Sequence, residues 1–152
     1  MNHLLAIGIG FVAGLRSLTA PALVSWAACL GWLNLHGTPL AFMGSRVAVG
    51  LFTLLAIVEL IGDVLPKTPP RTTPVPLIAR LVMGGLCGAS IYAAAAAALV
   101  MGAVLGIIGA VIGTYLGYYA RKSLVASLKV NDILIAIPED IVAIGLAYLI
   151  VR

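Results

Sequence analysis

Between residues 77 and 120 the chain carries a single charged side chain, Arg80. A helix crosses the hydrocarbon core of a bilayer, roughly 30 Å thick, with about 20 predominantly apolar residues, so this stretch alone has room for two crossings. Comparable apolar runs cover residues 4–33, 40–65 and 133–151. The pattern predicts an all-α polytopic transmembrane helix bundle of about five spans, at 4–33, 40–65, 77–100, 101–120 and 133–151. Together they form one transmembrane domain over residues 1–152. Whole-chain composition agrees, with 62% hydrophobic and 9% charged residues, against about 45–50% and about 25% in soluble domains. The net charge of +4 comes from residues at the ends of apolar runs and forms no basic patch, so nucleic acid is not an expected partner.

Prolines and cations set the expected breaks and orientation. The N-terminal run contains Arg16 and has no convincing cleavage site, so it reads as a retained span, not a signal peptide. Pro21 predicts a break in this first helix, and Pro138 a break in the fifth, because proline lacks an N–H and clashes with the carbonyl four residues back. Residues 66–76, with Lys67 and Arg71 among five prolines, read as a loop. Lys67, Arg71 and Arg80 flank one connection, and Arg121, Lys122 and Lys129 flank another. With five spans both lie on one side, which the positive-inside rule makes cytoplasmic. The N-terminus is then expected inside and the C-terminus outside, with a bacterial inner membrane as the default residence. Arg46 is the exception, and Tyr115, Tyr118 and Tyr119 mark an expected interfacial belt.

A short echo runs through the chain. Ala56-Ile57-Val58-Glu59 recurs as Ala136-Ile137-Pro138-Glu139, and the spacing of Gly10 and Gly14 before Arg16 recurs as Gly113 and Gly117 before Arg121. Paired arginine-bearing and glutamate-bearing helices of this kind suggest an inverted repeat, an architecture common among small transporters.

Ionisable residues at membrane depth are informative because each costs about 2.5–3.5 kcal/mol at a helix centre on insertion scales. Glu59 and Asp63 are four apart and share a helix face. Glu139 and Asp140 follow Pro138, where a new helical half would favour negative charge. Arg16 and Arg121 are the counter-charges. Together Glu59, Asp63, Glu139, Asp140, Arg16 and Arg121 are the candidate substrate- or ion-binding residues, and the same residues are alternatively buried ion pairs that only hold helices in register. Asp132 reads as a helix cap. Gly10, Gly14, Gly84, Gly88, Gly102, Gly106, Gly109, Gly113 and Gly117 are spaced as helix-packing seams, within the chain or between copies of a homo-oligomer. Cys29 and Cys87 read as small buried hydrophobes. His3 and His36 have no partner at ligand spacing, so no metal site is expected. No Ser-His-Asp or Cys-His set argues for catalysis, and no cofactor is expected.

Three passages point together to one family. They are Ala13-Gly14-Leu15-Arg16, the run from Val58 to Lys67 containing Glu59, Asp63 and Pro66, and Glu139-Asp140-Ile141. Taken together the chain resembles the bacterial integral-membrane proteins grouped as domain of unknown function 4126, over essentially its whole length. Members often carry lysine directly after the aspartate, where this chain has Val64, with Lys67 following the proline. The resemblance implies that Arg16, Glu59, Asp63, Glu139 and Asp140 act as a set, and it implies no activity.

The expected function is transport or channelling of a small solute or ion. Glu59 and Glu139 are the expected proton or cation carriers, supported by Asp63 and Asp140. The first alternative is a scaffolding membrane protein held by buried ion pairs. The second is a lipid-handling protein or membrane enzyme, in which Arg71, Arg80, Arg121 and Lys122 gather anionic headgroups.

Overall fold

The computed structural model of the protein describes residues 1–63, 72–129 and 131–152, the side chain of Asp132 excepted. Lys67, Arg71 and most of the proline-rich loop lie outside the described residues, as does the capping role of Asp132. The described residues form helices α1 (Asn2–Leu15), α2 (Thr19–Cys29), α3 (Arg46–Gly62), α4 (Pro74–Ala94), α5 (Leu99–Leu128) and α6 (Asp132–Val151), with a short 3-10 turn at Ala41–Gly44. No strand occurs among them. Helices α4, α5 and α6 are each long and apolar enough to cross a membrane, whereas α1 and α2 are apolar but have 14 and 11 residues. Pro74 and Pro76 stand in the first turn of α4, where a missing N–H has no helical partner to lose.

The first apolar segment departs most from its expected form. It is a hairpin of two helices, not one bent crossing. The break falls at Arg16, whose backbone is extended, and not at Pro21. Pro21 instead sits in the first turn of α2, where its lack of an N–H costs nothing. Two sets of contacts fix the reversal. Gly8 lies against Ile150 while Arg16 pairs with Asp140, so α1 runs opposite to α6. Trp32, just beyond α2, meets the ring of Tyr148 at 5.8 Å, so α2 runs in the same direction as α6.

The remaining directions follow in the same way. Helix α3 is antiparallel to α2, because Glu59 reaches Leu18 while Trp26 donates to the Thr53 hydroxyl at 3.0 Å. Helix α4 is antiparallel to α5, with Gly84 against Ala110 and Gly88 against Gly102. Both chain termini therefore lie at one end of the bundle. The last turns of α5 with Lys122, and Lys129 in the α5–α6 connection, lie at the other, here called the basic end, toward which the α1–α2 turn and the end of α3 face. This corrects the expectation that the termini lie on opposite sides. Helices α1 and α5 run parallel, with Gly10 against Gly106 and Gly14 against Ala110. The two arginine-bearing helices of the echo are thus not related by inversion.

Glycine makes the core. A Cβ on Gly106 would stand 2.9 Å from the Gly84 carbonyl carbon of α4, and one on Gly10 of α1 would stand 2.8 Å from the Gly106 Cα. Gly14, Gly88, Gly102, Gly109 and Gly113 are as tightly faced by neighbouring helices, each with an atom under 3.0 Å from its would-be Cβ, and Gly117 is buried on α5. Only hydrogen fits between these backbones, so α1, α4 and α5 form one close-packed unit. These seams are closed within the chain, which leaves none of these glycine faces for a second copy. The turn from α4 to α5 falls inside the alanine run, at Ala95–Ala98, with Ala96 in the left-handed region. Cys87 is buried, but Cys29 is exposed at the end of α2, against expectation.

Helix α6 differs from its expected shape too. It runs without interruption through Pro138. Among transmembrane helices an internal proline is tolerated where neighbouring groups relieve the freed carbonyl, here that of Leu134.

Candidate functional site

The hairpin turn Arg16-Ser17-Leu18 puts a cation, a hydroxyl and two free backbone N–H groups at one level inside the bundle. Each finds a carboxylate from another helix. Arg16 is fully buried and pairs with Asp63 at the end of α3 and with Asp140 on α6. Asp63 and Asp140 keep 14% and 20% of their side-chain surface exposed. Glu59 lies one turn before Asp63 on α3. Its Oε1 accepts from the Ser17 backbone N–H at 2.8 Å and from the Ser17 hydroxyl, and its Oε2 accepts from the Leu18 N–H at 2.9 Å. These N–H groups belong to the turn just before α2, close to the helix N-terminus, whose dipole favours negative charge. A carboxylate from a distant segment therefore holds the turn that leads into α2.

A second pair lies beside the first. Arg121 of α5 is 3.8 Å from Glu139 of α6, next in sequence to Asp140. Arg80 of α4 is buried, one turn from Gly84, which places it near the level of Gly14 and Thr114. The Thr114 hydroxyl donates to the Gly14 carbonyl at 3.3 Å just below. This burial removes Arg80 from the expected headgroup-gathering rim.

Four of the chain's five acidic residues thus gather around Arg16, Arg121 and the hairpin turn in one layer. Seven residues separate Glu139 from the start of α6 and Arg121 from the end of α5, so the layer sits about 10 Å inside the basic end. Among the described residues no group of three or more His, Cys, Asp and Glu side chains forms a metal site.

A model of the family described as Domain of unknown function (DUF4126) matches residues 3–152. The chain belongs to this family. No curated protein and no solved structure matches it.

In this DUF4126 chain the structure brings all six candidate residues into the layer but divides them unequally. Arg16 joins Asp63 and Asp140, Arg121 joins Glu139, and Glu59 turns to the hairpin. Ser17 and the Leu18 N–H escaped the sequence reading. Their signal was present in Ser17-Leu18-Thr19-Ala20-Pro21, a hydroxyl residue shortly before a proline in a helix's first turn. Arg80 was assigned to a loop flank because its distance from Gly84 acquires meaning only once α4 is packed on α5.

Proposed function

We propose that this DUF4126 protein moves a small ion or solute across the membrane, with proton or cation exchange at the Asp63–Arg16–Asp140 triad. One observation carries the reading: Arg16, with no exposed surface, divides a single positive charge between carboxylates on two different helices. A guanidinium shared in this way can be redistributed between its two partners when a proton or a small cation is taken up at Asp140. When Asp140 is neutralised, Arg16 belongs to Asp63, and the α3 end and α6 are no longer held through one group. Charge uptake is thereby coupled to how the α2–α3 pair sits on α6. Intramembrane carboxylates in such pairs are characteristic of proton and ion pathways.

Glu59 takes a different role in this reading from Glu139. It anchors the hairpin turn, while Arg121 and Glu139 form a second, looser pair at the flank of the pathway. The basic end, with Lys122 and Lys129, faces the cytoplasm by the positive-inside rule. Both termini then face the opposite side of a bacterial inner membrane, and the α1–α2 hairpin enters from that side and turns at the layer.

The test is ion flux through proteoliposomes holding a lumenal pH dye, with imposed ion gradients. Wild-type protein is expected to carry flux above empty liposomes, and folded Asp63→Asn/Asp140→Asn protein to carry none. Equal flux in the two would overturn the reading. The saturation of Glu59 by three donors favours the scaffold alternative, in which the double substitution alters stability alone.

A further inference from the structure

Beside the ionic layer, α5 and α6 separate over a cleft of about 380 Å³, within the roughly 300–1,000 Å³ range of small-molecule sites. Its floor is Phe11 and Leu15 of α1, and Leu116 and Val142 line its inner half. Arg121 and Glu139 interrupt this apolar lining halfway along. Leu116 lies twelve residues, or about 18 Å, from the end of α5, so the cleft runs from the basic end toward the centre of the bilayer. In a membrane an apolar cleft of this direction is parallel to the acyl chains of the adjoining leaflet.

Charge decides which lipid it suits. Arg121 is on the wall, Lys122 is the next residue and exposed, and Lys129 ends the helix, also exposed. Glu139 is the acid that faces them among the described residues lining the cleft, so the cations at and beside the cleft outnumber it. Basic pockets between transmembrane helices at the cytoplasmic face bind anionic headgroups.

We propose that the α5–α6 cleft is a binding site for one anionic phospholipid of the bilayer, its phosphate at Arg121 and Lys122 and one acyl chain along Phe11, Leu15, Leu116 and Val142. The phosphate competes with Glu139 for Arg121. Glu139 is the neighbour of Asp140 in sequence, so the bound lipid changes the charge felt by the Arg16 triad. The site requires no transport activity, and its test is independent of flux.

The experiment is native mass spectrometry of the purified protein in detergent, titrated with phosphatidylglycerol and, separately, phosphatidylcholine. Wild type is expected to prefer phosphatidylglycerol. Arg121→Gln is expected to weaken that preference about fivefold, the value of about one basic residue near a membrane surface, and Arg121→Lys to restore most of it. Leu134→Trp, at the exposed mouth of the cleft, is expected to reduce binding of either lipid. Lys122→Gln, at an exposed position that folding does not need, gives a smaller loss of the same sign. An unchanged preference in Arg121→Gln and Lys122→Gln, or unchanged binding in Leu134→Trp, would overturn the proposal. So would equal binding of the two lipids by wild type.

Discussion

Gly106 packs at the level of Gly10, six residues or about 9 Å along α1 from Arg16, and the two hold their neighbours by opposite means. Around Gly106 the backbones of α1, α4 and α5 touch directly, with Gly10 on one side and Gly84 on the other. Such contacts depend on shape and have one arrangement. Around Arg16 the link between α1, α3 and α6 is a shared cation with two carboxylate partners. Under the proposed function such a link has more than one arrangement, because a proton or a bound cation would alter which partner it keeps. The chain therefore combines a close-packed three-helix frame with an ionic joint, at which the end of α3 and α6 meet α1.

The frame breaks most severely at Gly106. Gly106→Leu places a branched side chain where even a Cβ would meet Gly84 at 2.9 Å, and no flexible side chain is available to yield. The expected outcome is loss of monodisperse protein on size-exclusion chromatography after detergent extraction. Recovery of stable protein would mean that α1 or α4 can leave α5, and the frame would be no more fixed than the joint.

At the joint, Arg16→Gln removes the guanidinium that Asp63 and Asp140 share. Removing one member of a buried ion pair costs about 3–5 kcal/mol, read as a lowered midpoint of thermal unfolding. Arg16→Gln/Asp63→Asn/Asp140→Asn removes the charges together and is expected to recover most of that loss. This contrast separates the two regions, since no partner substitution of comparable size relieves a clash with backbone at Gly106.

The all-helical membrane class and most of the helices were legible in the sequence because hydrocarbon imposes a simple rule of length and apolarity. The end of α6 and the α4 and α5 region follow it closely. The hairpin was not legible, because Leu4 to Leu33 is as apolar as a single long span and its turn is set by Glu59, more than forty residues away. The placing of the two termini at opposite ends failed for the same reason, since one unforeseen reversal brings them to the same end. The site fared better in membership than in role. Charged residues in an apolar chain have few places to go other than to one another, and so all six candidates converge. Which carboxylate takes Arg16 depends on helix rotation and on the competing N–H groups of the hairpin turn, and spacing along the sequence carries neither.

Glu59→Gln is a milder test of the joint. Glutamine keeps one oxygen to accept from the hairpin but loses the charge and the second acceptor, so a loss of about 1–2 kcal/mol is expected, in the range of helix-cap substitutions. Flux through proteoliposomes is expected to persist in this variant once it is stable. Loss of flux in folded Glu59→Gln protein would move Glu59 from anchor to carrier and extend the responsive part of the joint to the hairpin turn.

The smallest effect carries the opposite sign. Gly145 is exposed on α6, and a Cβ there would meet nothing within 4 Å, whereas every glycine of the frame for which a neighbour was described is closed on by backbone or side chain. Glycine within a helix is less favourable than alanine by roughly 0.5–1 kcal/mol where no packing depends on it. Gly145→Ala is therefore expected to raise the unfolding midpoint slightly, while Gly106→Leu abolishes folding. A loss in place of the gain would show that something packs closely on α6 at Gly145. Because the seams of α1, α4 and α5 are already closed within the chain, that neighbour would be a second copy meeting the outer face of α6, and the loss would then diminish as protein is diluted into detergent.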